Sequence, residues 1–427
     1  MTTPRFDPVV ATLANGVRVV ALPLPHLESA SVSVFVRTGS ACESARESGI
    51  SHVVEHMAFK GTASRDCQRV NLDAERLGAE VNAHTDKDHT AFHMRGLARH
   101  ATDFVAMLGD IVCASTFPEE ELERERQVIL HEVDEDDDDP LSTAFKLFDR
   151  ACYGTHPVAQ PVIGRRRNIE RFKRADLLEY VRRQYSGANV VVGVAGAIDP
   201  RGVVRAAEAA FGRVPHGAPN RVAAPAYSGG VRLQRQTGSS QTHVVLGFPI
   251  ASLAEDDAAS EVAAALFGEG MSSPLMDALR ERSALVYYAA CSADRTPWSG
   301  QFVVEASTAP RHLDELVAVV ARLFVEQARG VDAVGMERAR NQLAVRRVQA
   351  LERPARLLEE AAQDLFVHGR VLSRAELAAR LDAVTADDVR AAFVRMLEAT
   401  PAVAIAGRLG KALHAGQRFG ELIAEGR

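Results

Sequence analysis

The sequence predicts an α/β (α+β) fold built from two homologous domains, each a mixed β-sheet flanked by helices. Three observations carry that reading. The chain has 427 residues, 47% hydrophobic and 25% charged, the proportions of globular domains and too long for a single core. A stretch rich in Gly, Pro and small residues, 216–230, interrupts the pattern near the middle, as a linker does. On either side of it the same order recurs: strand, strand, helix, then a longer helix. The expected division is therefore 1–215, a linker at 216–230, and 231–427.

In the first half, apolar runs at 16–22 and 32–36 predict strands, and 49–59 predicts a helix. Residues 80–85 and 89–94 alternate around Asp86-Lys87-Asp88 and predict a β-hairpin. A helix is expected over 101–114. Pro118 followed by Glu119, Glu120 and Glu121 predicts the start of another, because acidic residues favour a first helical turn. In the second half, 231–236 and 242–248 predict strands, and 256–267 and 312–328 predict helices.

Charge and cysteine usage exclude several classes. The net charge of −6 gives no reason to expect a nucleic-acid or anionic-membrane partner. Cys42, Cys67, Cys113, Cys152 and Cys291 are odd in number and contain no CxxC, the usage of a reducing compartment. No basic segment followed by an apolar one opens the chain, and no window reaches the ~18 apolar residues of a membrane span. A cytoplasmic location is the expectation.

The chemistry concentrates in Gly49–Gly61, which contains His52, Glu55 and His56 in the order H-x-x-E-H. At about 100° per residue these three share one arc of a helix, and Ile50, Val53, Val54 and Met57 share the opposite one. Two imidazoles one turn apart can grip one Zn²⁺, with the Glu close enough to take a proton from water. With 14 His in the chain, the pattern arises by chance about 0.03 times.

A catalytic zinc takes a third protein ligand, and the helix after Pro118 is its best source. That helix buries Leu122, Ile129 and Val133, with Glu125 and Glu132 together at the edge of the apolar stripe. The residues alone leave Glu132 open between a ligand and an ordinary solvated carboxylate. His131 points about 100° away from it. The acidic run 134–139 reads as a solvated helix end, because it lacks the alternation and Gly of a calcium loop. His84, His89 and His93 read as surface residues of the hairpin ahead of a second metal site.

Taken together, His52-x-x-Glu55-His56 and the later run Glu125-Arg-Gln-Val-Ile-Leu-His-Glu132 resemble the pitrilysin family of zinc peptidases. The flanking Gly49, Phe59-Lys-Gly-Thr62 and Gly78-Ala-Glu-Val-Asn-Ala83 resemble its usual run as well. The resemblance implies Zn²⁺ held by His52, His56 and Glu132, with Glu125 supporting the site from behind and Glu55 as general base. It also implies an edge strand, around Asn82 and Ala83, that pairs with extended peptide substrate.

The second half has no H-x-x-E-H. There the resemblance implies that Arg280 and Tyr287 contact the substrate carbonyl. Glu269, Pro274 and Ser283 depart from the family's pattern around that pair. The implied activity is hydrolysis of short or unfolded peptides in a closed chamber formed by two such chains. A homodimer is expected ahead of a heterodimer, with the Arg/Tyr pair acting across the subunit interface. A processing peptidase for one partner's leader peptide and a non-catalytic scaffold are the alternatives.

Overall fold

The structure, a computed structural model, describes residues 8–410 and 412–426. The described chain forms two compact units, each built on one mixed sheet.

In unit 1 the strands are β1 (Val9–Thr12), β2 (Arg18–Pro23), β3 (Ser29–Val36), β4 (Glu80–Thr85), β5 (Thr90–Leu97) and β6 (Val190–Gly196). They lie in the order β1-β2-β6-β3-β5-β4. β2 and β6 pair in parallel, whereas the β6–β3, β3–β5 and β5–β4 pairs are antiparallel. Unit 2 repeats this plan with β7 (Gly230–Arg235), β8 (Thr242–Ile250), β9 (Val286–Arg295), β10 (Gly300–Thr308) and β11 (Ala402–Gly407), ordered β7-β11-β8-β10-β9. There β11 pairs in parallel with β7 and antiparallel with β8. Strand for strand β7–β11 match β2–β6, which is the topology a duplication leaves behind. β6 and β11 are buried at every residue, and both read as unbroken apolar runs because both faces of these strands are covered.

Each sheet faces one large core. In unit 1 the helices Ile50–Ala58 (α1), Ala101–Cys113 and Pro200–Phe211 contribute to it, together with part of Glu119–Asp138 (α2). In unit 2 a cluster of buried Phe248, Phe267, Phe302, Phe324 and Phe393 fills the equivalent place.

The compact units cut across the linear division at 216–230. The helix Pro140–Tyr153 (α3) comes from the first half but lies on β7, β8 and β11 of unit 2. The helix Pro354–His368 (α4) comes from the second half but lies on β2, β3 and β6 of unit 1. α4 inserts Leu357, Leu358, Ala361, Leu365 and Phe366 against Val20, Leu22, Phe35 and Val191. Each sheet thus has its second face covered by a helix from far away in sequence, a relation that hydrophobic period does not encode.

The acidic run divides as well. Helix α2 continues through Asp138, while Asp139 caps α3 by accepting from the backbone N–H groups of Leu141 and Ser142. Lys146 of α3 reaches Asp136 and Asp137 at 2.7 and 2.8 Å. The run is therefore a helix junction with a cation of its own.

Candidate metal centre

Helix α1 starts at Gly49, whose φ of +103° lies in the left-handed region that only glycine enters without strain. A Cβ there would also meet the Cα of Gly164 at 2.9 Å. The first turn is capped from a distance. Glu43, 1% exposed, accepts from the backbone N–H of Gly49 and of Ser51, each at 2.8 Å. Ser51 Oγ and Thr38 Oγ1 both bond to the hydroxyl of buried Tyr180, at 2.7 and 2.6 Å. Burial pushes the Glu43 carboxyl up to about 7, against the hydrogen bonds from Ser51 and Gly49. The apolar face of α1 is Ile50, Val53, Val54 and Met57, all buried. His52, Glu55 and His56 are partly exposed on the other side.

Helix α2 brings Glu132 to this face. Its Oε2 lies 3.6 Å from His52 Nε2 and 3.5 Å from His56 Nε2, and the two Nε2 atoms are 3.1 Å apart. Bonds of about 2.0–2.2 Å to a tetrahedral metal require ligand–ligand edges of roughly 3.3–3.6 Å. Two edges fall in that range and the His52–His56 edge is slightly shorter, so the triangle is close to the size of one face of a zinc tetrahedron.

The donor chemistry fits too. His56 Nδ1 lies 2.9 Å from Glu125 Oε1. A carboxylate only accepts, so Nδ1 carries the proton and Nε2 keeps its lone pair for a metal. Glu125 is held in turn by Lys60 Nζ at 2.5 Å. Burial opposes ionisation of Glu125, but its bonds to His56 and Lys60 hold the carboxyl below its ordinary range. Burial and the neighbouring His56 push the His52 imidazole down to about 4, so it is neutral at pH 7 and needs no deprotonation to ligate.

Glu55, on the same helix, is not part of the triangle. Its Oε2 accepts from Thr85 Oγ1 at 2.6 Å. Burial raises its carboxyl above the ordinary value, against the Thr85 bond, the direction a general base near neutral pH requires. His131 is exposed.

Thr85 ends β4, which is the edge strand of its sheet. Ala83 and Val81 face the same core as α1, and Asn82 and His84 alternate to the other face. The Asn82 side chain accepts from the Ala83 backbone N–H at 2.8 Å, which engages a donor that an added strand would use.

One expectation from the sequence is overturned here. His84, His89 and His93 are not plain surface residues. His89 is 2% exposed, and the three form a chain of contacts from Ser33 to Asp88. Period alone places His84 on a face, but the diagonal approach of 84, 89 and 93 depends on the hairpin register.

Arg280 and Tyr287 belong to unit 2. Arg280 sits in a π-helical turn, Asp277–Arg282, and Tyr287 on edge strand β9. The guanidinium lies 5.1 Å from the centre of the Tyr287 ring, which is 83% exposed. The structure thus brings these two together and leaves both able to meet a further group. Glu269 pairs with Arg346, and Pro274 opens a short helix capped by Ser273.

Two family models match the chain. Residues 18–166 match "Insulinase (Peptidase family M16)", and residues 171–343 match "Peptidase M16 inactive domain". A Rickettsia bellii (strain RML369-C) protein described as an "Uncharacterized zinc protease" is 30% identical over 402 residues, covering 93% of this chain and 97% of its own. The chain belongs to peptidase family M16. That is the family to which the pattern of His52, Glu55 and His56 pointed, and relatives of this chain in it are named zinc proteases. The beta subunit of the mitochondrial-processing peptidase of Saccharomyces cerevisiae is 27% identical over 399 residues, covering 88% of this chain and 86% of that one.

Among solved structures, a peptidase M16 inactive domain from Pseudomonas fluorescens matches with a TM-score of 0.86 at 21% identity, over 94% of this chain and 98% of that one. A protease from Helicobacter pylori also matches at 0.86, with 20% identity over 94% and 99%. Both share the M16 fold of two mixed α/β domains. Among the described residues, no helix is long and apolar enough to cross a membrane.

Proposed function

We propose that this M16 protein is a zinc-dependent endopeptidase whose metal is held by His52, His56 and Glu132. The single observation that carries the reading is the triangle of their ligand atoms, 3.1–3.6 Å on a side, beside a carboxylate on the same helix. The same geometry weighs against a scaffold role, which has no use for four intact residues of this kind.

Bound zinc supplies a Lewis acid that polarises the scissile carbonyl and makes water acidic near neutral pH. The residues of the chain do the rest. Glu55 takes a proton from the attacking water as the C–O bond forms, and gives it to the amine nitrogen as the C–N bond breaks. Thr85 holds that carboxylate in place. Glu125 fixes the His56 ring so that Nε2 faces the metal position. Arg280 and Tyr287 are donors suited to a developing oxyanion. The free edge of β4, at Asn82 and Ala83, grips extended peptide through backbone bonds once the Asn82 side chain swings away.

The functional unit in this reading is a homodimer enclosing a chamber, in which the partner subunit's Arg280 and the partner subunit's Tyr287 complete each site. A closed chamber restricts substrates to short or unfolded peptides. The relation to a mitochondrial-processing peptidase subunit supports a second reading, removal of leader peptides from one partner. Cleavage of a random peptide library separates the two, with a narrow consensus favouring processing and broad cutting favouring degradation.

The test is metal content and peptide hydrolysis of the protein beside Glu55→Gln. Activity lost with zinc retained supports the assignment. Equal turnover in the variant removes Glu55 from the mechanism.

A further inference from the structure

We propose that the tip of the β4–β5 hairpin is a second site for a divalent transition metal, held by Nε2 of His84, Nε2 of His89 and the carboxylate of Asp86. The two Nε2 atoms are 3.3 Å apart, the edge expected of a tetrahedron with bonds of about 2.0–2.1 Å. The Asp86 carboxylate lies within 4.8 Å of a ring nitrogen of each histidine. Two imidazoles and one carboxylate suit Zn²⁺, Co²⁺, Ni²⁺ or Cu²⁺ and give too few oxygens for Ca²⁺ or Mg²⁺.

Each ligand ring is backed as metal-binding histidines are. His89 Nδ1 lies 2.9 Å from Asp88 Oδ1, so the proton sits on Nδ1 and Nε2 offers a lone pair. His84 Nδ1 lies 3.0 Å from His93 Nε2, and His93 Nδ1 lies 2.8 Å from Ser33 Oγ. Without a metal, protons point along this chain from Ser33 to Asp88. Moving one proton from Nε2 to Nδ1 within each of His84 and His93 frees the His84 lone pair. Every backing contact survives, because His84 now donates to His93 and His93 to the Ser33 hydroxyl. Loading a cation therefore leaves no buried ring nitrogen of this chain of contacts orphaned, and it replaces the His84–His89 contact, in which two Nε2 atoms face each other.

The turn is also fixed in advance. Its backbone is pinned by Asp86 N to His89 O at 2.8 Å, and by Ser40 N and Ala41 N to the carbonyls of Asp86 and Lys87 at 3.2 and 2.9 Å. Asp88 and Glu359 add negative charge around His89. This site is separate from the one on α1. His84 and Thr85 point to opposite faces of the strand, and only Thr85 reaches Glu55. Occupancy would nevertheless stiffen the turn that carries Thr85.

The experiment is calorimetric titration of the metal-free full-length protein with Zn²⁺ alone, repeated with Co²⁺ to read the visible spectrum of each site. Two equivalents are expected for the wild type, and one each for His52→Ala and His84→Ala. Asp86→Asn, which alters an exposed side chain and so keeps the fold, is expected to weaken the second equivalent about tenfold. Circular dichroism checks the folding of His84→Ala. A single wild-type equivalent that is lost in His52→Ala, or two equivalents in His84→Ala with Asp86→Asn unchanged, would each overturn the site. Failure of the α1 centre would look different, as full wild-type binding by His52→Ala.

Discussion

Replacing Glu125 by Gln tests how the proposed metal centre is supported without touching a proposed ligand. Glu125 is 9% exposed and holds His56 Nδ1 at 2.9 Å and Lys60 Nζ at 2.5 Å. The variant keeps an oxygen that can accept from His56 but loses the negative charge. A hydrogen bond to a charged group contributes about 1.5–3 kcal/mol, and a neutral one about 1. The His56 contact therefore weakens by roughly 1–2 kcal/mol, equivalent to about 5- to 30-fold in affinity at 1.4 kcal/mol per decade. Removing a partner behind a metal-binding histidine costs ~10–100-fold elsewhere, so about tenfold weaker zinc binding is expected. Competition against a chromophoric chelator measures it. Glu120→Gln on the same helix, at a side chain 89% exposed, serves as the control and should leave affinity unchanged. An unaltered zinc affinity in Glu125→Gln would refute the claim that this carboxylate orients His56, as would equal losses in the two variants.

Three further outcomes follow. Thr85→Val removes the 2.6 Å donor that favours ionised Glu55, so the acidic limb of kcat/KM should move to higher pH with metal content retained; a stationary limb would separate Thr85 from the base. Glu43, pushed up to about 7 by burial, binds a proton more tightly folded than unfolded. Its contribution is complete below pH 4.5 and is lost as pH rises through 7, about 3 kcal/mol in all, so wild type should lose stability relative to Glu43→Gln over that window in urea melts of metal-free protein. Parallel curves for the two would discard that carboxyl as the cause. Mixing inactive Glu55→Gln with an inactive Arg280→Ala/Tyr287→Phe chain should restore about a quarter of wild-type activity if the pair acts across a dimer with free subunit exchange, and none if each chain serves itself.

Much of the α1 centre is legible in the sequence because it depends on helical period. Ile50, Val53, Val54 and Met57 turn inward by spacing alone, and the same spacing sets His52, Glu55 and His56 on one arc. The same rule sets Glu125 and Glu132, two turns apart, on one edge of α2, but only the family resemblance singles out Glu132 as a ligand. What holds the centre is less local. Glu43 caps α1 across a loop with no capping-box pattern. Thr85 meets Glu55 only because the hairpin packs beside the helix. The exchange of α3 and α4 between units joins helices to strands far from them in chain order, and nothing in either helix names its partner sheet. The histidines of the hairpin were visible as residue types, but only strand register brings 84, 89 and 93 together.

The most direct measurement is anomalous diffraction at the zinc edge from crystals of the active protein. A peak about 2.0–2.2 Å from Nε2 of His52, Nε2 of His56 and a carboxylate oxygen of Glu132 is the predicted result. Peptide hydrolysis by crystals or solutions in which that triangle carries no metal peak would contradict it.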